Sequence, residues 1–337
     1  MKVVEIPQYG IDNLRVVERD TPQPGHGQVL VKMKAASLNY RDLVTVLGAF
    51  GAMYKLPLVP LSDACGEVVA VGPGVTRVKT GDRVASMFFQ HWLAGALTRE
   101  GQASAIGGSL DGVWRDYALL SADGVSKVPS YLSDAEVATL PCAALTAWRS
   151  LMVEGGLTAG ETVVVQGTGG VSIFALQFAK AAGAEVIITS SSDEKLARAK
   201  ALGADHLINY KETPDWSKAV REITNGRGVD HVVEVGGAGT LEHSLKSIRV
   251  GGHVSIVGVL SGHVKDLQIG MVMTANAKVK GVTVGSREQF EAMCRAMALH
   301  KIKPVIDKTF PFAAAKEALT TMMGQGHFGK IAIDLAA

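Results

Sequence analysis

From about residue 160 the chain alternates short apolar runs with helical patterns, and no other feature constrains its fold as strongly. The run "TVVVQ" precedes "VSIFALQFAKAAG", in which Val171, Phe174, Ala175, Phe178 and Ala182 share one helical face. "EVIIT", a helix "DEKLARAKALG", "HLINY", a helix near 215–224, "DHVVEVGG", a helix near 241–248, "HVSIVGV" and "KVKGVTVG" continue the pattern. Runs this apolar are buried on both faces of a parallel sheet, and intervening helices supply the crossovers that parallel strands require. Six such strands predict a doubly wound α/β domain.

Between the first strand and the first helix lies "QGTGGVS", residues 166–172. Gly167, Gly169 and Gly170, with Thr168 and Val171 between and after them, allow a tight turn whose backbone N–H groups approach a pyrophosphate at the helix N-terminus. Ser172 replaces the third glycine of the usual motif and is small enough for close helix-to-strand packing. The motif is degenerate; its place between strand and helix is what makes it specific. Roughly twenty residues further on, an NAD-binding domain usually carries an acid for the ribose hydroxyls. Here Ser190 and Ser191 stand there, Lys195 follows, and Tyr210 ends the third strand, a set that accommodates a 2′-phosphate. NADP(H) is therefore the expected cofactor, with Asp193 and Glu194 as nearby opposing charges.

From residue 1 to about 125 the pattern is different: short alternating strands such as "KVVEI", "LRVVER" and "QVLVKMKAAS" between Gly and Pro turns predict an antiparallel or barrel-like β domain. The stretch from 88 to 112 reads as a long loop, and the segment after 287 as a return to the first domain. The expected division is 1–128 with 287–337, and 129–286 as the Rossmann dinucleotide-binding domain. A net charge of +2 without long charge runs gives no electrostatic case for nucleic acid, and no apolar stretch approaches the roughly 18 residues of a membrane span. Cys65, Cys142 and Cys294 are too few and too scattered for a disulfide framework or a zinc knuckle, so a cytoplasmic protein is expected.

The motifs "ASLNYRD", "DACGEVVAVGPGV", "GDRV", "LPCAALTAW", "QGTGGVS" and "LGADHLINY", taken in order, resemble the medium-chain dehydrogenase/reductase superfamily nearly end to end. The resemblance implies a GroES-like β-barrel catalytic domain from both chain ends, an inserted six-stranded Rossmann domain, and a nicotinamide in the cleft. In the superfamily's zinc alcohol dehydrogenases the metal ligands sit at positions resembling Asn39, Ser62 and Cys142. Only Cys142 is a usual zinc ligand, Asp63 stands beside the set, and residues 88–112 contain no cysteine for a structural zinc. No metal is expected.

Without a metal to acidify an alcohol, reduction of a conjugated electrophile is the easier chemistry, because charge on the resulting enolate oxygen can be held by hydrogen-bond donors. The resemblance to zinc-free quinone oxidoreductases and to enoyl reductases, with which "LNYRDLVTVLGAF" is particularly similar, agrees. Several of those reductases carry a tyrosine at the position of Phe50, so Tyr54 and Tyr40 are the substitutes considered, and Asn39 is the polar group expected to face substrate or nicotinamide. Tyr40 and Asp42 are alternatively structural. Thr146 matches a threonine that abuts the nicotinamide, and Val257, Gly258 and Val259 a loop whose backbone bonds its carboxamide. Ser286 and Arg287 are either ligand contacts or a helix start, and His91 is a surface histidine. The expected activity is reduction of a small electrophilic substrate by a homodimer paired through "KVKGVTVG". An alcohol dehydrogenase with an atypical zinc site and a nucleotide-binding sensor without turnover are the alternatives.

Overall fold

A computed structural model describes residues 1–262, 267 and 269–336. Contacts divide the chain into Met1–Leu145 with Val284–Ala337, and Thr146–Thr283. The first unit thus includes residues 129–145, which the sequence pattern assigned to the Rossmann half. The reason is local: the helix Asp134–Ala138, capped by Ser133, packs on the main strands of the first unit.

In that unit β1 (Lys2–Glu5) and β2 (Arg15–Glu18) pair antiparallel. The main sheet is built on β3 (Gln28–Ser37), which pairs antiparallel with β4 (Asp63–Val71) and with β6 (Tyr117–Ser121). β5 (Arg83–Ser86) and β7 (Val125–Lys127) continue the sheet beyond β4. Val3, Val29, Val31, Met33 and Trp114 are buried in one core, and the indole Nε1 of Trp114 donates to Phe312 O at 3.1 Å.

The segment 88–112 is the long, largely irregular connection expected, and part of it packs inward. Phe88, Phe89, Trp92, Ala105 and Ile106 are buried, Phe89 bridges to Ala105, and a short helix Arg99–Ala103 is capped by Thr98. Its glycines let it close on Leu61: a Cβ on Gly112 would lie 2.1 Å from Leu61 O. Leu61 has a φ of 71°, unfavourable for a side-chain-bearing residue, and is held there immediately before Ser62 and Asp63.

In the second unit β8 (Thr162–Gln166), β9 (Glu185–Ser190), β10 (His206–Asn209), β11 (Val229–Glu234), β12 (Ile248–Ile256) and β13 (Lys278–Gly281) form a parallel sheet in the order β10-β9-β8-β11-β12-β13. This is the doubly wound order of dinucleotide-binding domains. Helices Gly170–Ala181, Asp193–Ala201, Trp216–Ile223 and Leu241–Ser247 fall where the pattern predicts them, and Ile269–Thr274 is one it missed.

Every residue of β11 is buried although its sequence is VDHVVE. Asp230 is accounted for by Arg227, Arg249 and the Thr162 N–H: burial raises its pKa, but these hydrogen bonds overcome that and bring it down to about 2. His231 meets Glu161 at 3.0 Å. Glu234 accepts from Gly236 N–H, Gly237 N–H, Thr240, Ser244 and Gln166. A central strand tolerates these groups because each carboxylate is bonded.

The chain then returns to the first unit, where β14 (Ile306–Pro311) pairs with β15 (Lys330–Asp334) and β15 pairs antiparallel with β3. Ile331 and Ile333 enter the core of that unit. The same strand carries Lys330 to the end of β3, where Leu38 N–H donates to Ile331 O.

Candidate active site

The nucleotide turn lies wholly in the second unit. Gly167 has a φ of 69°, and a Cβ on Gly167 or on Gly169 would meet nothing within 4 Å, so the turn leaves open space in front of the helix that starts at Gly170. That space and the N–H groups at the helix N-terminus fit a pyrophosphate. Thr168 is buried and Val171 half-buried. Ser172 does more than replace a glycine: its Oγ donates to Gln166 O at 2.7 Å and ties the helix to β8. Gln166 in turn donates from Nε2 to Glu234 and accepts from Val235 N–H, so the strand end beneath the turn is fixed from two sides.

At the next strand end Ser190 is buried and opposite Asn209, and Tyr210 N–H donates to Ser190 O at 3.0 Å. Ser191 and Lys195 are half-buried, and Ser192 caps the helix that carries Lys195. Asp193, which sequence left as a competing charge, accepts from Asn209 Nδ2 at 2.8 Å. After β12, the Val257 and Gly258 N–H groups both point to Glu234 O, at 2.8 and 3.3 Å. Those two donors are therefore spent within the protein. Thr146 is buried in a single helical turn flanked by π-helical segments Leu140–Ala144 and Arg149–Gly155.

In the first unit Asn39, Ser62, Asp63, Cys142 and Lys330 form one polar cluster. Asn39 precedes the helix Tyr40–Val46, and its N–H donates to Asp42 Oδ2 at 2.9 Å. Its side chain also reaches beyond the helix: Oδ1 accepts from Lys330 Nζ at 2.6 Å and Nδ2 points to Ser62 Oγ at 3.5 Å. Lys330 also donates to Leu38 O at 2.5 Å and is 3% exposed. Asp63 receives Ser62 Oγ on one oxygen, at 2.7 Å, and Cys142 N–H on the other, at 2.9 Å.

Burial governs the acid–base behaviour of this cluster. It lowers the pKa of Lys330, a shift that the charge of Asp63 opposes most. It raises Asp63, against the pull of Lys330 and of hydrogen bonds from Ser62 and Asn39. Asp42 is pushed up to about 6 by burial, with Arg41 opposing and Asp63 reinforcing. The Cys142 thiol is pushed up by desolvation and then by Asp63, so it stands protonated at neutral pH.

Of the tyrosines expected to act, Tyr40 is exposed and Tyr54 half-buried, and neither hydrogen-bonds to Asn39. The ring of Tyr54 lies 5.1 Å from that of Phe50. A Cβ on Gly108 would fall 2.9 Å from both Tyr54 Cζ and Arg41 Nη1, so Tyr54 and Arg41 flank the same point. Arg41 rests over Phe88 at 4.4 Å and donates to Ile106 O at 2.7 Å, a role the sequence did not suggest. Ser286 is a helix cap with Gln289, Arg287 binds Asp123, and His91 is exposed. Lys330 was missed as well, since a lysine opening a short apolar strand reads as a solvated end.

Residues 25–130 match the model of the alcohol dehydrogenase GroES-like domain, and residues 170–298 that of the zinc-binding dehydrogenase. A zinc-type alcohol dehydrogenase-like protein of Schizosaccharomyces pombe is 45% identical over 333 residues, covering 97% of this chain and 96% of that protein. This chain belongs to the medium-chain dehydrogenase/reductase superfamily. It is an NAD(P)H-dependent oxidoreductase, with the GroES-like domain and the Rossmann sheet that the sequence motifs implied. It is also similar to the acryloyl-coenzyme A reductase of Metallosphaera sedula, 31% identical with 94% of this chain and 95% of that protein covered. Among solved structures it resembles an NAD-dependent alcohol dehydrogenase, with a TM-score of 0.90, 34% identity and 99% of each chain covered.

Proposed function

We propose that this member of the superfamily is a zinc-independent reductase that uses NADPH to reduce quinones, enones or related activated carbonyl compounds. The single observation that carries this is the donor set at the three positions where relatives bind zinc. Asn39 Oδ1 is taken by an ammonium and Ser62 Oγ is turned to Asp63. A dication would have to displace Lys330 and would find an amide and a hydroxyl where zinc takes His, Cys or carboxylate, so these side chains do not fit a zinc ion. Among the described residues no group of three or more His, Cys, Asp or Glu is placed to hold a metal.

NADPH supplies the hydride when bound. The chain's own contribution begins with the glycine turn, which takes the pyrophosphate, and with Ser190, Ser191, Lys195 and Tyr210, whose donors and missing carboxylate suit a 2′-phosphate. Asn39 donates its amide N–H to the oxygen on which charge develops, and solvent or Tyr54 supplies the proton that completes the reduction. The similar acryloyl-coenzyme A reductase is named for reduction of a conjugated acyl group, which favours this chemistry over alcohol oxidation.

Three further expectations stay with this proposal. β13 is exposed along its whole length and, among the described residues, pairs only with β12, which suits a homodimer formed across its other edge. Cysteines 65, 142 and 294 are free thiols, in keeping with a cytoplasmic setting. The GroES-like part acts as the catalytic domain. The deciding experiment is a panel of 1,4-benzoquinone, 2-cyclohexen-1-one, crotonyl-coenzyme A and primary alcohols, with NADPH, NADH or their oxidised forms, followed at the nicotinamide absorbance. Turnover confined to primary alcohols and dependent on added zinc would refute the proposal.

A further inference from the structure

Lys330 is a buried cation with no surface role. It enters the polar cluster from the last strand of the chain, 291 residues from Asn39 in sequence, and both of its resolved hydrogen bonds go to residues 38 and 39. Two buried carboxylates, Asp42 and Asp63, balance it. A lysine held this way costs free energy unless it is paired, so its place calls for a function.

Its chemistry fixes the orientation of the neighbouring amide. An ammonium donates and cannot accept, so only the oxygen of the Asn39 carboxamide can face it. That turns Nδ2 to the opposite side, toward Ser62 Oγ at 3.5 Å and the Asp63 carboxylate. Without Lys330 the carboxamide can rotate by half a turn and present its oxygen instead, which repels a developing oxyanion. The Asp42 carboxylate, bonded to Asn39 N–H, fixes the backbone from the other end. The ammonium also polarises the amide in a poorly solvated setting and strengthens Nδ2 as a donor.

Resting on the reductase proposed above, we infer that Lys330 is a positioning residue that stands in for the family's zinc by orienting and polarising Asn39 toward the substrate oxygen. In the step it serves, the β-carbon of an enone gains a hydride from NADPH, the C=C pair shifts toward the carbonyl, and the oxygen takes the negative charge. A solvent proton then adds at the α-carbon, so one NADPH is oxidised as one C=C bond is reduced.

The test compares the full-length protein with K330M and K330R, in NADPH titrations by fluorescence and in reduction of 2-cyclohexen-1-one and 1,4-benzoquinone. K330M is expected to bind NADPH within about threefold of the parent while its kcat falls on the order of 100-fold, as for loss of one oxyanion donor. K330R, which keeps the charge and the donors, should recover at least a tenth of the parent kcat. A K330M kcat within about threefold of the parent, or a loss confined to NADPH affinity, overturns the inference. If the parent reduces neither acceptor, the proposed function fails and Lys330 is judged separately. The readout is then the Asn39 side-chain amide pair in ¹⁵N-labelled protein. A pair shifted and slow to exchange in the parent, and collapsed to the free-amide position in K330M, sustains the positioning role; an unmoved pair ends it.

Discussion

His253 on β12 and His231 on β11 are register partners, with ring centroids 5.8 Å apart. His231 has Glu161 at 3.0 Å, whereas both ring nitrogens of His253 are buried without a hydrogen bond. Burial, reinforced by His231 and by Lys278 and only partly opposed by Glu154, pushes the His253 pKa down from 6.5 to about 4. A base whose folded pKa is depressed stays neutral in the native state while the unfolded chain takes up a proton. Its contribution is therefore intact above pH 6.5 and is lost as pH falls from about 6.5 toward 4. At about 1.4 kcal/mol per tenfold change the full effect is about 3 kcal/mol, and solvent screening reduces it to about 2 kcal/mol. His253→Leu removes the titration and two unsatisfied nitrogens. At pH 8 it should equal or exceed the parent by up to about 1 kcal/mol. Between pH 7.5 and pH 4 its advantage should grow by about 2 kcal/mol. The assay is hydrogen exchange by mass spectrometry on peptides spanning β11 and β12, corrected for intrinsic rates, with urea unfolding as a check. Parallel stability profiles for the two proteins across that range would refute the reasoning.

Ser190→Asp should weaken NADPH binding at least about 100-fold and strengthen NADH, since a buried carboxylate repels a 2′-phosphate by a few kcal/mol; fluorescence titration of both nucleotides measures it, and an unchanged ratio counts against the 2′-phosphate pocket. Glu234→Gln places an amide N–H₂ among five donors, so a loss of about 2–4 kcal/mol and a lower Tm are expected, with the glycine turn loosened through Gln166. After exposure to zinc and dialysis, metal analysis should find well under one ion per chain, and a chelator should leave reductase activity unchanged. Gly112→Ala forces a Cβ onto Leu61 O and should cost at least about 2 kcal/mol, together with altered kinetics through Ser62 and Asp63.

The strand-and-helix alternation, the glycine turn and the small residues at the second strand end were legible because each is a local pattern. Periodicity, turn geometry and helix starts depend on residues a few positions apart. The same local logic flagged Asn39, Ser62 and Cys142, through motifs that carry their superfamily resemblance along the chain. It read residues 88–112 as a long loop but did not reveal the burial of Phe88, Phe89, Trp92 and Ile106, which comes from packing and not from any repeating pattern.

Sequence alone determined the parallel sheet and the glycine turn at its first strand end. It left Lys330, Arg41 and the Gln166–Glu234 pair unassigned, because each acquires its role from a partner 65 or more residues away in sequence. Only the folded chain brings β15 alongside β3 and sets an ammonium against Asn39. Desolvation then decides the charges: an exposed lysine and an exposed thiol behave ordinarily, and the same groups buried beside Asp63 do not.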